Sequence, residues 1–550
     1  MNARPRNRRR TGILAIAIAA ALGLSACSGG EDATAEDGRP TIRYAIATQG
    51  FTSMDPLKAL QPLDRILSMM LFDGLVRYPT GEATAPFEPG IAKEVPTPQT
   101  VDGKQSWTIS LRDGVMCPAG RKTEAYELTS DDVVYSLQRA ADPERSTFAG
   151  VYTDYESVTA PDPRTVVVTM THPVSDAVFL PTISNWQGGL VVCKKAVEAE
   201  GDVEFGQNPV GTGPYTFKSH TPGQQVEVVA NDAYYLGKPR AAGWTIRFMD
   251  DDTARQAALF SGDVDLADPW GTGDRGLQAI DERQGLKAVT APLFGTWYAA
   301  FNSKIEPLDD VRVRQALSYA LNRADYIASA GERTARPTLA VWGDQLPAGV
   351  PDAHVQEAGL AYEFDLEKAR SLLAEAGYPN GFEVSITGPS GLQYYEILQA
   401  QLSEIGVKVN VRTVDTPTWQ KAQVSGQEPI IVTLVAFRPT PQIPYNSFFY
   451  GPSSTLGGSA PAQNYWNYSG ADALIEQAQQ ESDPARQKQL WQEINDQVLR
   501  DAAVKPLLVA YRSYGAVCGF TWGGAEPPVA IPGNWQASHE AFVDRDADDC

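Results

Sequence analysis

The chain has 550 residues, 43% of them apolar and 21% charged, which is the composition of a folded globular protein. This length exceeds what one hydrophobic core supports, so two or three domains are expected. A formal net charge of −21 argues against a nucleic-acid partner, because phosphate binding needs clustered lysine and arginine.

The N-terminus is typical of a signal peptide. Five arginines and no acid in MNARPRNRRR precede an apolar run, TGILAIAIAAALGLSA, that is short for a membrane span. The run ends in Leu24-Ser25-Ala26-Cys27, which resembles a bacterial lipoprotein box. Residues 1–26 are therefore predicted to be a lipoprotein signal peptide, Cys27 to be lipidated, and residues 27–40 to be a flexible tether. An ordinary secretory signal with a chance cysteine is the alternative.

Strands and helices alternate along the rest of the chain. Alternating apolar residues predict a strand in SWTISL (106–111), and a capping pattern predicts a helix in TSDDVVYSLQRA (129–140). Further strands are predicted in TVVVTM (165–170) and QVEVVA (225–230). No internal repeat interrupts this order. The alternation predicts an α/β protein.

Three helices are predicted in the second half of the chain. Apolar residues at helical spacing predict one continuous helix over DDVRVRQALSYALNRADYI (309–327). Asp365 is expected to cap a helix that ends at Gly377 before Pro379. Asp483-Pro484 is expected to start another.

One glycine-rich segment matches a nucleotide-binding pattern. Residues 271–276, GTGDRG, have the spacing GxGxxG. The preceding DVDLADPW does not read as a buried parallel strand, and an exported protein has little access to NAD. The segment is therefore predicted to be a loop.

Export places the four remaining cysteines where disulfides persist. Three pairings of Cys117, Cys193, Cys518 and Cys550 are possible. The pairs Cys117–Cys193 and Cys518–Cys550 are favoured because each is the closer one in sequence. Redox or zinc chemistry is not expected, since no CxxC occurs.

Motifs of catalysis are scarce. The four histidines are scattered, and neither HExxH, GxSxG nor a P-loop is present. A Ser–His–Asp site needs only spatial proximity, so an enzyme is disfavoured rather than excluded. We expect no enzyme, no cofactor and no metal site.

Several segments together resemble the family 5 extracellular solute-binding proteins of ABC importers, which include dipeptide, oligopeptide and nickel binders. The most specific is NPVGTGPYTFKSHTPGQQVEVVANDAYYLGKP (208–239), in which Gly211 and Gly213 are expected to shape a turn. Residues 106–143, 301–327, 363–384 and 467–508 resemble further segments of the family, in the same order.

The resemblance implies a two-lobed clamshell of the class II periplasmic-binding-protein type. It implies a first lobe of residues 41–70, 201–293 and 506–550, an extra subdomain of that lobe at 71–200, and a second lobe at 294–505. The chain would cross between lobes near 292–302 and 502–511. Such a protein is expected to be a monomer, lipid-anchored to the outer face of the bacterial cell membrane, with permease and ATPase subunits as partners.

Ligand contacts in the family gather on the first lobe's opening loop, the crossing strands and a loop after an apolar strand. The resemblance places these contacts at Phe51, Trp297, Tyr298, Phe437, Arg438, Tyr465 and Trp466. Nickel is disfavoured, since no histidine lies near these positions.

Arg438 departs from the family. Peptide binders commonly carry an aspartate in this loop to pair the peptide α-ammonium. An arginine suits a carboxylate or phosphate instead, unless it pairs an acid of the opposite lobe or reaches solvent.

The function favoured is capture of a peptide or similar medium-sized solute for import. The alternatives are a non-peptide solute, either anionic or a sugar oligomer, and an exported hydrolase on the same fold.

Overall fold

The computed structural model describes residues 37–78, 87–184, 187–268, 273–344, 346, 348–436, 441–456, 463–523, 535, 538–545, 547 and 550. The strands of this part of the chain are β1 (Thr41–Ile46), β2 (Asp73–Gly74), β3 (Val76–Arg77), β4 (Glu88–Pro89), β5 (Pro98–Val101), β6 (Lys104–Ser110), β7 (Met116–Cys117), β8 (Tyr126–Glu127), β9 (Tyr155–Asp162), β10 (Thr165–Met170), β11 (Leu190–Val191), β12 (Tyr215–Thr221), β13 (Gln225–Ala230), β14 (Gly243–Phe248), β15 (Leu266–Ala267), β16 (Leu286–Phe301), β17 (Ala335–Pro337), β18 (Glu383–Pro389), β19 (Lys408–Val414), β20 (Ile430–Ala436), β21 (Val504–Val517), β22 (Phe520–Thr521) and β23 (Phe542–Val543).

The α-helices of the same part are α1 (Pro62–Leu71), α2 (Ser130–Ala141), α3 (Asp176–Thr182), α4 (Lys194–Glu200), α5 (Asp202–Phe205), α6 (Asp252–Phe260), α7 (Gly273–Asp281), α8 (Val311–Ala320), α9 (Arg323–Ala330), α10 (Asp352–Glu357), α11 (Leu366–Glu375), α12 (Tyr394–Ser403), α13 (Thr416–Val424), α14 (Gln442–Phe448), α15 (Asp472–Gln480) and α16 (Pro484–Arg500).

A mixed sheet forms the centre of the fold. Its strand order is β12-β13-β14-β1-β15-β21-β16-β20, with β17 paired to β21. β1 runs parallel to β14 and β15, whereas β21 is antiparallel to both β15 and β16. A smaller antiparallel sheet, β5-β6-β10-β9, lies within residues 98–170. Helices and a mixed sheet confirm the predicted α/β class.

Buried side chains fall into three large groups. The first core joins β1, α1, α2 and the small sheet to β12–β14. The second core packs around α14, α15 and α16, and the third around α8, α11 and α12. A minor cluster links β15 to α6 and α7. The predicted domain boundaries stay a prediction.

Most elements predicted from the sequence are present. β10 and β13 have the predicted bounds, and in β6 Trp107 and Ile109 are buried while Thr108 is exposed. Thr129 and Asp132 form a capping box at the start of α2. Asp365 and Asp483 cap α11 and α16 with their side chains. These matches occur where local capping chemistry and burial agree.

Two predictions are wrong. The continuous helix over 309–327 is two helices, because the chain breaks at Leu321 and Asn322 caps α9 by accepting a hydrogen bond from the Ala324 N–H at 3.1 Å. The GxGxxG segment is not simply a loop. α7 begins at Gly273, and the preceding β15 is a buried strand parallel to β1. At two residues, β15 is too short to show a hydrophobic period.

The disulfides join Cys117 to Cys193 and Cys518 to Cys550, the pairing favoured from the sequence. The first connects β7 to the N-terminus of α4, and both of its cysteines are fully buried.

Gly213 packs against the end of α1. A Cβ there would lie 2.5 Å from the Leu71 carbonyl carbon and 2.6 Å from the Phe72 nitrogen, so backbone would have to move. Gly211 makes a similarly close approach to Leu71. Both positions therefore require glycine for packing. In the part of the chain described here, no helix is both long and apolar enough to span a bilayer.

Candidate functional site

The candidate site lies where two long strands pass between the cores. β16 and β21 pair from Leu286↔Val517 to Ala300↔Val504, and their register is interrupted between Pro292 and Thr296. On one side of the interruption β21 contributes Tyr514 to the first core, and on the other it contributes Leu508 to the third. These strands therefore contribute to separately packed cores. The lobe crossings expected near 292–302 and 502–511 stay a prediction.

Three of the predicted ligand residues belong to one aromatic cluster in the second core. Tyr298 of β16 is fully buried, donates its hydroxyl hydrogen to the Val341 carbonyl oxygen, and lies 6.2 Å from Phe449, centroid to centroid. Trp466 is also fully buried and stacks on Phe448 at 5.9 Å. Tyr465 is partly buried, 6.0 Å from Phe448. The Trp466 Nε1 has no hydrogen-bond partner among the described residues.

Two other predicted residues lie apart from this cluster. Trp297 packs against the third core, with its ring 5.0 Å from that of Tyr394. Phe51 packs against the first core, and its ring is 4.5 Å from His220. The expectation that no histidine lies near the predicted ligand residues is therefore wrong at Phe51. Successive side chains of a strand point to opposite faces, so Trp297 and Tyr298 serve different cores. Contact of any of these residues with a solute stays a prediction.

Phe437 and Arg438 lie outside the described residues, as does Cys27. The strand β20 immediately precedes Phe437 and Arg438 in the sequence. β20 pairs with β16 from Phe301↔Ile430 to Gly295↔Ala436, so it ends beside the interruption in the β16–β21 pairing.

A buried ion pair at this edge was missed by the sequence reasoning. Asp268 follows β15 directly, and its Oδ2 lies 2.6 Å from Nη2 of Arg512 on β21. The two side chains are 4% and 11% exposed. Burial acts to lower the pKa of Arg512, but the charge of Asp268 holds it above its ordinary value. A lone cation inside the apolar run LLVAYRSYGAV is the signal that would have found it.

Over the described ranges, no three His, Cys, Asp or Glu side chains are placed to hold a metal ion together.

The fold and the candidate site indicate a class of binding protein. A mixed sheet with long connecting strands is the architecture of a periplasmic binding protein, and the structural comparisons confirm this fold. The family model described as bacterial extracellular solute-binding proteins, family 5 Middle, matches residues 86–457. The chain belongs to this family. Its members bind small ligands and work with ABC permeases and ATPases.

The relatives are named for different solutes. Heme-binding protein A of Haemophilus influenzae is 28% identical over 454 residues, covering 75% of this chain and 76% of that protein. Glutathione-binding protein GsiB of Shigella flexneri is 25% identical over 529 residues, covering 91% and 93%. The structure of MoaA of A. tumefaciens R10 in complex with mannopinic acid has a TM-score of 0.78 at 30% identity, covering 92% of this chain and 99% of that chain.

Proposed function

We propose that this chain is the receptor of an ABC importer and captures a peptide or similar medium-sized solute for a membrane permease. The observation that carries the proposal is the family 5 match over residues 86–457. The peptide class is supported by the likeness to a glutathione-binding protein over 91% of the chain. Since the relatives also include heme and mannopinic acid binders, family membership leaves the solute open.

The solute is proposed to lie between two lobes that close around it. The lobes are those predicted above, and β16 and β21 would serve as the hinge between them. The support is that these strands contribute to different cores on either side of their irregular pairing. The proposed contacts are Phe51, Trp297, Tyr298, Phe437, Arg438, Tyr465 and Trp466.

Ligand screening of the mature chain tests the function. Native mass spectrometry of freshly purified protein would identify a retained solute, and thermal unfolding would be followed with dipeptides, tripeptides, oligopeptides and oligosaccharides. A true ligand stabilises by RT ln(1 + [L]/Kd), about 2.7 kcal/mol at 100 Kd. Turnover of peptides or esters without any saturable ligand would instead support the hydrolase alternative.

Arg438 offers a sharper test of the solute's charge. If its guanidinium grips an anionic group, Arg438→Ala should weaken binding of the identified ligand by about 1.5–3 kcal/mol. Arg500→Ala is the matched control, since Arg500 is exposed on α16. Isothermal titration measures both, and unchanged affinity of Arg438→Ala would remove that residue from the site.

Membrane anchoring is proposed to occur through lipid on Cys27. Several acyl chains on one cysteine would hold the receptor near its permease, whereas one chain alone is marginal. Cys27→Ser should release the protein from the cell membrane fraction. Retention of the variant in that fraction would argue against a lipid anchor.

A further inference from the structure

A pocket of about 630 Å³ lies between segments that are far apart in the sequence. Its lining includes Arg77 of β3, Glu88 of β4, Arg112 after β6, Leu236 after β13, and His539 and Glu540 beyond β22. None of the described lining residues belongs to β16, β20 or β21. The volume lies within the range of small-molecule sites, about 300–1,000 Å³. This β3–β4 pocket is therefore large enough for a ligand and separate from the candidate site.

Arg77 is a buried cation whose hydrogen-bonding capacity is unused among the described residues. It is 4% exposed, and its Nε has no hydrogen-bond partner. The part of the chain that the structure describes gives its guanidinium neither a hydrogen-bond acceptor nor an ion-pair partner. Arginine carries five N–H donors. Arg77 therefore brings a full set of donors to the wall of the pocket.

The acids nearest to Arg77 do not use these donors. The Oδ2 of Asp73 accepts from the hydroxyls of Tyr234 at 2.7 Å and Tyr235 at 3.0 Å, and its Oδ1 has no partner within the described ranges. Glu88 is in register with Arg77 across the antiparallel β3–β4 pair, but its side chain is exposed. Burial acts to lower the pKa of Arg77, whereas the acidic groups around it, Tyr234 and Asp73 foremost, hold it above its ordinary value. Arg77 thus stays charged.

Arg112 brings a second guanidinium to the same pocket. Its Nε donates to the carbonyl oxygens of Gly90 at 2.7 Å and Ala92 at 3.1 Å, and its Nη2 lies 3.5 Å from the Pro89 oxygen. Its Cζ lies 5.8 Å from the Tyr235 ring centroid. These contacts hold the guanidinium in place by one edge. No described residue accepts from its Nη1, and no described carboxylate pairs with it.

The chemistry of this wall favours an oxyanion. A buried cation without acceptors destabilises the folded protein, and a bound acceptor group removes that cost. A carboxylate or phosphate fits two guanidiniums best, because its oxygens accept forked, charge-assisted hydrogen bonds. Glu88 and Glu540 line the same pocket and would repel a second negative group. The ligand expected is therefore a small molecule with one anionic group.

We propose that the β3–β4 pocket is a second binding site, which takes a small molecule through one carboxylate or phosphate group held by Arg77 and Arg112. It shares no residue with the contacts proposed between the lobes. The inference therefore goes beyond capture of a solute for import.

Matched pairs of probes test this site in the full mature chain. Each pair differs in one anionic group: glucose 6-phosphate and glucose, and hippurate and hippuramide. Ligand-observed NMR titration and isothermal titration give the affinity ratio within each pair. The wild type is expected to bind the anionic member of at least one pair about tenfold more tightly or better. The pair that shows this preference identifies the group as phosphate or carboxylate.

Four variants separate recognition from folding. Arg77→Gln should bring the ratio close to one, and Arg77→Lys should retain part of the preference, because lysine keeps the charge but not the forked donors. Leu236→Trp narrows the pocket and leaves both guanidiniums in place. It should weaken both members of the responding pair, and it remains informative if Arg77→Gln folds poorly. Arg500→Gln, exposed on α16, is the control and should change nothing.

The outcomes distinguish the second site from the receptor function. Equal affinity for both members of each pair in the wild type would overturn the site, as would unchanged binding in Arg77→Gln and Leu236→Trp; both results leave the receptor function standing. A solute that copurifies with the wild type should bind Arg77→Gln with unchanged affinity. Loss of that solute from a folded Arg77→Gln protein would make this pocket the solute site itself and would overturn the proposal of a second site.

Discussion

Asp73 is a buried carboxylate whose environment disfavours its charge. It is 1% exposed, and its Oδ2 accepts hydrogen bonds from the hydroxyls of Tyr234 at 2.7 Å and Tyr235 at 3.0 Å. Its Oδ1 has no hydrogen-bond partner among the described residues. Burial raises the pKa of Asp73 from 3.8 to about 6, although Arg77 and the two hydroxyls oppose the rise.

Stability should therefore fall as the pH rises from about 4 to about 6, as far as Asp73 is concerned. In this window the folded state holds a proton that the unfolded state has released. Above pH 6 the ionised Asp73 lowers the free energy of unfolding by about 3 kcal/mol, which corresponds to a pKa raised by about two units. Asp73→Asn should remove it, because a neutral amide keeps an acceptor for the tyrosines.

Unfolding by urea at pH 4, 5, 6 and 7.5 measures this effect as the difference between wild type and variant. The free energy of unfolding of Asp73→Asn, relative to that of the wild type, is expected to increase as the pH rises. Asp102→Asn is the control, since Asp102 is exposed at a turn with φ 51°, which asparagine adopts readily. Parallel pH profiles of wild type and Asp73→Asn would contradict the prediction.

Single residues also show where sequence reasoning stops. Arg438 was singled out by its departure from the family, whereas Arg512, which interrupts the apolar run of β21, was not singled out. What singles out Arg512 is its place beside Asp268 and Tyr44, which are 244 and 468 positions away in sequence. Only strand register brings such distant residues together.

At the scale of elements, local chemistry predicted the ends of helices well. Asp483 accepts hydrogen bonds from the N–H groups of Ala485 at 2.8 Å and Arg486 at 3.0 Å, at the start of the 17-residue helix α16. Asp483→Ala should lower the free energy of unfolding by about 1 kcal/mol. Asp483→Ser should lower it much less, because serine also caps a helix N-terminus. Chemical denaturation measures both.

Lys488→Ala is the matched control for this cap, because Lys488 is exposed in the same helix. It should change the free energy of unfolding by less than about 0.5 kcal/mol. Equal losses in Asp483→Ala and Asp483→Ser would show that the carboxylate's charge, rather than the cap, is what matters at this position.

The sequence predictions failed for those elements whose bounds or existence depend on tertiary contacts. The apolar period of residues 309–327 continues across Leu321, but Asn322 donates its backbone N–H to the Gln401 side chain at 3.1 Å and starts a new helix. β15 is a strand only because β1 and β21 flank it. Neither cause is visible in a local window of sequence.

At the scale of the whole molecule, the order of strands and helices made the α/β class predictable, while the site depended on how β16, β20 and β21 align. The register of β16 and β21 breaks at Pro292–Thr296, and β20 ends beside this break because it pairs with β16 as far as Gly295↔Ala436. Hydrophobic period predicts that a strand exists but leaves its long-range partners undetermined. The candidate site was therefore approached from the sequence only through family resemblance.

The two disulfides constrain the whole chain to different degrees. Cys117–Cys193 closes a loop with a sequence separation of 76 and Cys518–Cys550 one of 32, so the chain-entropy relation assigns them about 4.5 and 3.7 kcal/mol. Cys117 and Cys193 are fully buried, whereas Cys550 is exposed. Because Cys550 is exposed, mild dithiothreitol should reduce Cys518–Cys550 first, and alkylation followed by mass spectrometry would show this order. Because its loop is longer, removal of the first disulfide in the double variant Cys117→Ala/Cys193→Ala should lower the denaturation midpoint more than Cys518→Ala/Cys550→Ala does. The reverse order of reduction would mean that exposure does not govern access to these bonds.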